Sequence, residues 1–388
     1  METISILMLG GRRCGKTTIL ANMCENIKFV LHHDASDNDQ TLFTLNKEPE
    51  SLVKMAQALD QLDSYFDGHL KRYEEFIIDD NQTTMESHVK LKLQPTNHGD
   101  ALRLDFIDIP GEWCVDKPDT VIELIRKSQV IVLAIDSPAM LEANGAMFEY
   151  CNKATDISNI ILSALNADFI KDERAQKLML FVPLKCEKYT INNNGESDIE
   201  GMHALTKAVR DKYAHLLSTL QSDSYHQKIT IAITPIMTIK EVRWASYSFQ
   251  KEGKELSIFD ELGDPIALNP RELYIKLLSH YGFRDALFDR ALKDAPTSLY
   301  CEQPLVYTLV YTLKYAMYLQ DHQKAWVKII LNIPILGAIL GFLGNLWSGI
   351  INLFKNNNSY TNEFNRLSTR KMCRENEGYE ILQNPLNI

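Results

Sequence analysis

Hydrophobic residues along this chain fall into three patterns. Ile4-Ser5-Ile6-Leu7-Met8-Leu9, Gln129-Val130-Ile131-Val132-Leu133-Ala134-Ile135-Asp136 and Leu178-Met179-Leu180-Phe181-Val182-Pro183 are short and almost unbroken. Runs of that length predict parallel strands covered on both faces. Ser87 to Gln94, Leu102 to Ile107 and Ile229 to Ile233 alternate instead, and Asn97-His98-Gly99-Asp100 supplies turn residues between the first two, which predicts an antiparallel hairpin. The third pattern recurs at threes and fours. It covers Pro49 to Ile78 through Leu52, Met55, Leu59, Leu62, Phe66 and Leu70, then Asp156 to Ala167, and resumes from Arg271 through Leu273, Leu277, Leu278, Leu287 and Leu292, and again from Val306 through Met317. Those segments predict helices. Trp244 to Asp264, charged and containing Gly253 and Gly263, reads as a connection, and Asn356 to Ile388 is polar with mixed charge. The picture is an α/β domain with a mostly parallel sheet, followed by an α-helical C-terminal region.

One stretch departs from all three patterns: Ile329 to Phe354 holds no charged residue and no histidine. It is long enough to span a bilayer. Pro334, Gly337, Gly341, Gly344 and Gly349 interrupt it, and a single span would export Lys355, Arg366, Arg370, Lys371 and Arg374 against the positive-inside tendency. Buried core, a contact between copies, and an interfacial membrane segment stay open beside a span. Met1-Glu2-Thr3 leads directly into the first strand without the basic start of a signal peptide. A cytoplasmic protein is expected, either free or held at the inner membrane through residues 329–354.

Length and charge narrow the classes. The 388 residues suit one enlarged domain or two ordinary ones. Lys and Arg number 41 against 51 Asp and Glu, for a net charge of −10, which disfavours a surface built to neutralise nucleic-acid phosphates. Seven scattered cysteines with no Cys-x-x-Cys pair indicate neither a disulfide framework nor a zinc site. His32-His33-Asp34 lacks a third ligand at a suitable spacing.

The chemistry begins where the first strand ends. Gly10-Gly11-Arg12-Arg13-Cys14-Gly15-Lys16-Thr17 fits G-x-x-x-x-G-K-[ST], and Thr18-Ile19-Leu20-Ala21 continues as a helix. Glycines let backbone N–H groups curl around phosphate oxygens, and the helix start adds partial positive charge. Lys16 is placed to reach the β- and γ-phosphates, and the Thr17 hydroxyl to bind Mg²⁺, a cation that takes hard oxygens together with substrate phosphates. Gly10, Gly11, Arg12, Arg13, Cys14, Gly15, Lys16, Thr17 and Thr18 therefore form the candidate nucleotide cradle.

The second hairpin strand ends in Asp108-Ile109-Pro110-Gly111. After a phosphate-binding loop, that D-x-x-G resembles the second switch of the Ras-like, translation-factor-related P-loop GTPases. The resemblance covers about residues 1–240. It implies a P-loop GTPase-like three-layer sandwich with one antiparallel hairpin strand, GTP or GDP with Mg²⁺ as cofactors, Asp108 holding the ion through water, and Gly111 sensing the γ-phosphate. Glu112 stands where relatives carry a water-orienting glutamine; it either positions the attacking water or is an exposed acidic residue. Arg12 and Arg13 either supply charge to the transition state or pair with acidic neighbours. Among the threonines before the hairpin, Thr84 first and Thr83 second take the place of the first-switch ligand to Mg²⁺. Lys185-Cys186-Glu187 stands for the guanine-reading [NT]-K-x-D, with Leu184 and Glu187 departing from it, which keeps adenine open. Thr234-Pro235-Ile236 falls at the last base-contacting loop, where Pro235 has no N–H and only neighbouring amides, such as that of Ile236, are left to contribute.

Asp108-Ile109-Pro110-Gly111-Glu112 together with Lys185-Cys186-Glu187-Lys188-Tyr189 further resembles the bacterial double-GTPase group, found in defence gene neighbourhoods. The expected organisation is a GTPase domain at 1–245 with a helical insertion at about 26–82, and a helical region at 265–388. The expected function is a slow GTPase switch with a protein effector or self-association through that region. The rivals are an ATPase and a membrane-associated or oligomeric scaffold with little hydrolysis.

Overall fold

The computed structural model describes residues 3–21, 23, 42–45, 85–94, 102–191, 198–236, 242–251, 254–256, 270–280, 282–290, helical positions 308–309, 311–312, 314–315 and 317–319, and 380–386. The strands in chain order are β1 (Thr3–Leu9), β2 (Leu42–Leu45), β3 (Ser87–Gln94), β4 (Leu102–Asp108), β5 (Val130–Asp136), β6 (Lys177–Leu184), β7 (Ile229–Ile233), β8 (Val242–Lys251), β9 (Lys254–Leu256), β10 (Gly282–Arg290) and β11 (Glu380–Gln383). Eight form one sheet in the order β11-β7-β6-β5-β1-β4-β3-β2, and the other three form a second sheet in the order β10-β8-β9.

In the large sheet β4, β1, β5, β6 and β7 run parallel, and β3 joins β4 antiparallel. β5 and β6 are buried at every position, which is why they read as unbroken apolar runs. Alternate residues of β1 serve opposite faces. Ile4, Ile6 and Met8 pack with Ile19, Leu20 and Met23 of the first helix, and with Leu309 and Tyr311. Leu7 and Leu9 face the other layer, where Val121 and Ile125 of the Pro118–Lys127 helix meet Ile157 and Ile161 of the Ala154–Ala164 helix. Two helical layers on one central sheet form the expected three-layer sandwich.

Register places the chemistry along one edge. Met8 lies beside Asp108 in the β1–β4 pair, and Asp136 beside Leu184 in the β5–β6 pair. The carboxyl ends of β1, β4, β5 and β6 thus open onto a common rim, where ligands bind in parallel α/β sheets.

Four expectations need correction. The helix expected over Asp156 to Ala167 ends at Ala164, and a separate Ala167–Lys171 helix starts because the Asn166 side chain accepts from the amides of Asp168 and Phe169. Trp244 to Asp264 is not merely a connection: it carries most of β8 and all of β9. The helical text after Arg271 holds for Pro270–His280 and for the described positions 308–309, 311–312, 314–315 and 317–319, but Leu287 belongs to β10 instead. Register shifts along the β10–β8 pair break simple alternation, so neither strand shows a period of two.

The fourth correction concerns the C-terminal region, expected as a helical unit following the GTPase core. Its helical residues Leu309 and Tyr311 instead join the hydrophobic cluster of the large sheet, and its strand β11 joins the sheet itself. β11 pairs antiparallel with β7, as β2 does with β3 at the opposite edge, and both are too short to register in a polar context. Pro49 to Ile78, His32 to Asp34, Asn97 to Asp100, Thr83, Thr84 and Ile329 to Phe354 lie outside the described residues. Among the described residues, no helix is long and apolar enough to cross a membrane.

Candidate functional site

The loop after β1 owes its shape to glycines. Gly10 has φ +146°, and a Cβ there would stand 2.8 Å from the Ala134 carbonyl oxygen. Gly15 turns the chain at φ +97° beneath the Leu184 side chain, and Lys16 opens a helix over residues 16–21. Arg13, at φ 60°, takes the left-handed conformation without being glycine. Cys14 turns its thiol into the core and donates to the Cys151 carbonyl at 3.2 Å. Burial, then the negative charge of Asp136, pushes this thiol up to about 11, so it stays protonated near neutrality.

Lys16 is almost wholly buried, and its ammonium donates to the carbonyls of Gly10 at 3.2 Å and Gly11 at 2.9 Å. Next to it the Thr17 hydroxyl donates to Asp108 Oδ2 at 2.7 Å, both residues being buried. Thr18 is half-buried on the following turn. Gly111 presses against the loop so closely that a Cβ would lie 2.4 Å from the Arg12 nitrogen and 2.5 Å from the Gly11 carbonyl carbon. The two motifs, about a hundred residues apart, form one surface. Glu112 pairs with Arg12 at 3.0 Å, with both side chains partly exposed.

At the end of β6, Lys185 also adopts the left-handed conformation, at φ 55°. Its ammonium donates to Asp136 Oδ2 at 2.6 Å and to the Arg13 carbonyl at 3.1 Å, which fixes it against the phosphate loop. Glu187 is buried at the start of the Glu187–Thr190 helix. Thr234 is buried and its amide donates to Phe181. The amide of Ile236 donates to the Pro183 carbonyl at 3.0 Å, which corrects the expectation that it contacts a base. Thr84 lies outside the described residues; the contacts above bring the phosphate loop together with Asp108, Gly111, Glu112 and Lys185.

Two residues escaped the sequence reading. Asp136 is buried at the centre of the rim, and the available signal was a carboxylate closing an otherwise apolar strand. Asn152 clasps it, accepting from its amide at 2.7 Å and donating to its carbonyl at 3.2 Å.

The fold is a P-loop GTPase-like three-layer sandwich, on this chain's own strand order and loop geometry. No family model matches the chain, and no curated protein matches it. Among solved structures it is similar to the Ski7 GTPase-like domain of S. cerevisiae bound to GTP, at 14% identity over 61% of this chain and 43% of that one, with a TM-score of 0.31. The same domain bound to GDP and inorganic phosphate matches at 13% identity, 72% and 50% coverage, and a TM-score of 0.28. The signal recognition particle receptor SRb-GTP/SRX complex from Chaetomium thermophilum matches at 12% identity, 61% and 93% coverage, and a TM-score of 0.35. The chain therefore spans half or less of the Ski7 chains it resembles.

Proposed function

We propose that this chain is a GTP-binding switch that hydrolyses GTP to GDP with Mg²⁺. The observation that carries the reading is the Thr17 hydroxyl against the Asp108 carboxylate, 2.7 Å apart beside the Lys16 ammonium. Two hard oxygens beside a lysine of the phosphate loop suit a magnesium-bound triphosphate. Thr17 and Asp108 would hold Mg²⁺, which when bound neutralises charge on the phosphates. Lys16 and the amides of residues 10–18 would bind and orient those phosphates, and Gly111 would register the terminal one. Glu112, held by Arg12, would position water, with Arg13 as a second local positive charge and Thr84 as the first-switch ligand.

Lys185, Glu187 and the loop at Thr234 would meet the base, and guanine is the reading that the lysine and carboxylate favour. Leu184 in place of an amide side chain supports adenine as the competitor. Hydrolysis would be slow, with nucleotide state passed to a protein effector, or to a second copy, through the region after residue 241. The finer grouping we favour is the double-GTPase one, from which a role in bacterial defence follows; the location we favour is the cytoplasm, free or at the inner membrane through residues 329–354.

Binding of fluorescent GTP to purified Lys16→Ala tests the reading. Loss of charge-assisted bonds worth about 3 kcal/mol should weaken binding roughly a hundredfold. Undiminished binding would overturn the site assignment, and displacement by ATP at lower concentration than by GTP would replace guanine with adenine.

A further inference from the structure

The buried Asp136 carboxylate gathers donors from three parts of the chain. Oδ1 accepts the Ala139 amide at 2.9 Å and the Tyr247 hydroxyl at 2.6 Å. Oδ2 accepts the Lys185 ammonium at 2.6 Å, and that ammonium also reaches the Arg13 carbonyl. A continuous polar path thus runs from β8, through Asp136 and Lys185, into the phosphate loop. It ends on two non-glycine residues in left-handed conformations, Lys185 and Arg13, a geometry that persists only where its surroundings over-determine it.

Tyr247 is itself held rigidly. It is fully buried, with Trp244 edge-on at 5.1 Å between ring centroids and Tyr274 at 6.0 Å. Burial, and then the charge of Asp136, raises its hydroxyl well above the usual tyrosine value, so it remains a donor at any working pH. Trp244 in turn lies under the Lys188 ammonium, 5.0 Å from the ring centroid, on the same segment that carries Lys185 and Glu187. The β8–β10 sheet is therefore seated on the segment that would read the base.

We propose that Tyr247 is a positioning residue of the nucleotide site: through Asp136 it holds Lys185 in its binding conformation, making the β8–β10 sheet a working part of that site. The inference rests on the nucleotide-binding reading above and adds a residue that no motif supplies. A short bond from a neutral donor to a buried carboxylate is among the stronger hydrogen bonds in a protein, and its loss frees the carboxylate and the lysine to shift together.

The test uses the full chain and fluorescent GTP, with Tyr247→Phe, Tyr274→Phe, Lys185→Ala and the Tyr247→Phe/Lys185→Ala double variant. Tyr247→Phe should bind GTP about tenfold more weakly, the effect expected from losing one hydrogen bond to a charged group. Tyr274→Phe keeps the ring packing and should bind as wild type does. In the double variant, Tyr247→Phe should add little to the loss from Lys185→Ala, because both act through one path. That cycle decides the matter even if Tyr247→Phe also lowers the melting temperature. Wild-type affinity in Tyr247→Phe, or full additivity in the double variant, would overturn the proposal while leaving nucleotide binding intact. Failure of wild-type protein to bind any nucleotide would overturn both.

Discussion

At the scale of single residues, the site is defined as much by missing side chains as by present ones. Gly111 abuts Arg12 and Gly11 so tightly that a methyl group must displace backbone rather than a flexible side chain. Its conformation raises no strain of its own, so Gly111→Ala should fold while moving the second-switch turn off the loop. We expect a melting temperature lowered by overpacking worth about 1–3 kcal/mol, and GTP hydrolysis reduced at least roughly tenfold, since misplacement by about an ångström at a reacting centre costs up to a hundredfold. Single-turnover hydrolysis checks this, and a wild-type rate would separate Gly111 from catalysis. A second residue-scale prediction concerns His88 on β3, between Glu86 at 2.9 Å and Asp105 at 2.9 Å. Partial burial works to lower its pKa, but hydrogen bonds to both carboxylates prevail and raise it above 6.5. The folded state then holds the proton more tightly than the unfolded one. Its stabilisation is fully present below pH 6.5 and fades as pH rises through the folded value. Melting temperature should fall across that window in wild type and flatten in His88→Gln.

At the scale of elements, legibility tracked how far each segment's stability is local. The loop at Gly10 to Thr17, the Asp108 turn and the buried strands were readable because backbone geometry and burial on both faces dictate their residues directly. β11 was not, because Glu380-Ile381-Leu382-Gln383 becomes a strand only by pairing with β7. Asp136 was visible as a strand end, but its role depends on Tyr247, 111 positions away. β8 and β10 were hidden by their register shifts, and Leu287 continued a helical spacing from Leu277 and Leu278 although Gly282 had already begun a strand. One side chain adds a cluster of bonds to the pairing that attaches β11. Gln383 is buried, and its amide donates to the carbonyls of Ile229 at 2.6 Å, Tyr225 at 3.3 Å and Leu220 at 3.4 Å. Gln383→Ala would leave buried carbonyls without that donor, at a cost of about 1–3 kcal/mol. A lowered urea midpoint should show it, with an unchanged midpoint locating the stability of this edge elsewhere.

At the scale of the whole molecule, the chain leaves the sheet after Ile236, builds the β8–β10 sheet, and returns to finish what it left open. Leu309 and Tyr311 are fully buried on the face shared with the helix that follows the phosphate loop, and Tyr315, Met317 and Ile381 pack against the same cluster. The core of the large sheet is therefore completed by residues from the last third of the sequence. A protein ending at residue 241 would retain every sequence motif described above, yet it would lack the Leu309 and Tyr311 side chains of that core cluster and the Tyr315, Met317 and Ile381 packed against it. Burying a large apolar side chain contributes about 1.5–3 kcal/mol, and two such residues rival much of the 5–15 kcal/mol by which ordinary domains are stable. We expect the shortened protein to aggregate or melt near room temperature. Supplying residues 242–388 as a separate co-expressed chain should restore solubility and GTP binding together, because the missing surface and the Tyr247 hydroxyl return in the same piece. If residues 1–241 alone fold and bind GTP with wild-type affinity, the later segments are appended to the core and do not complete it.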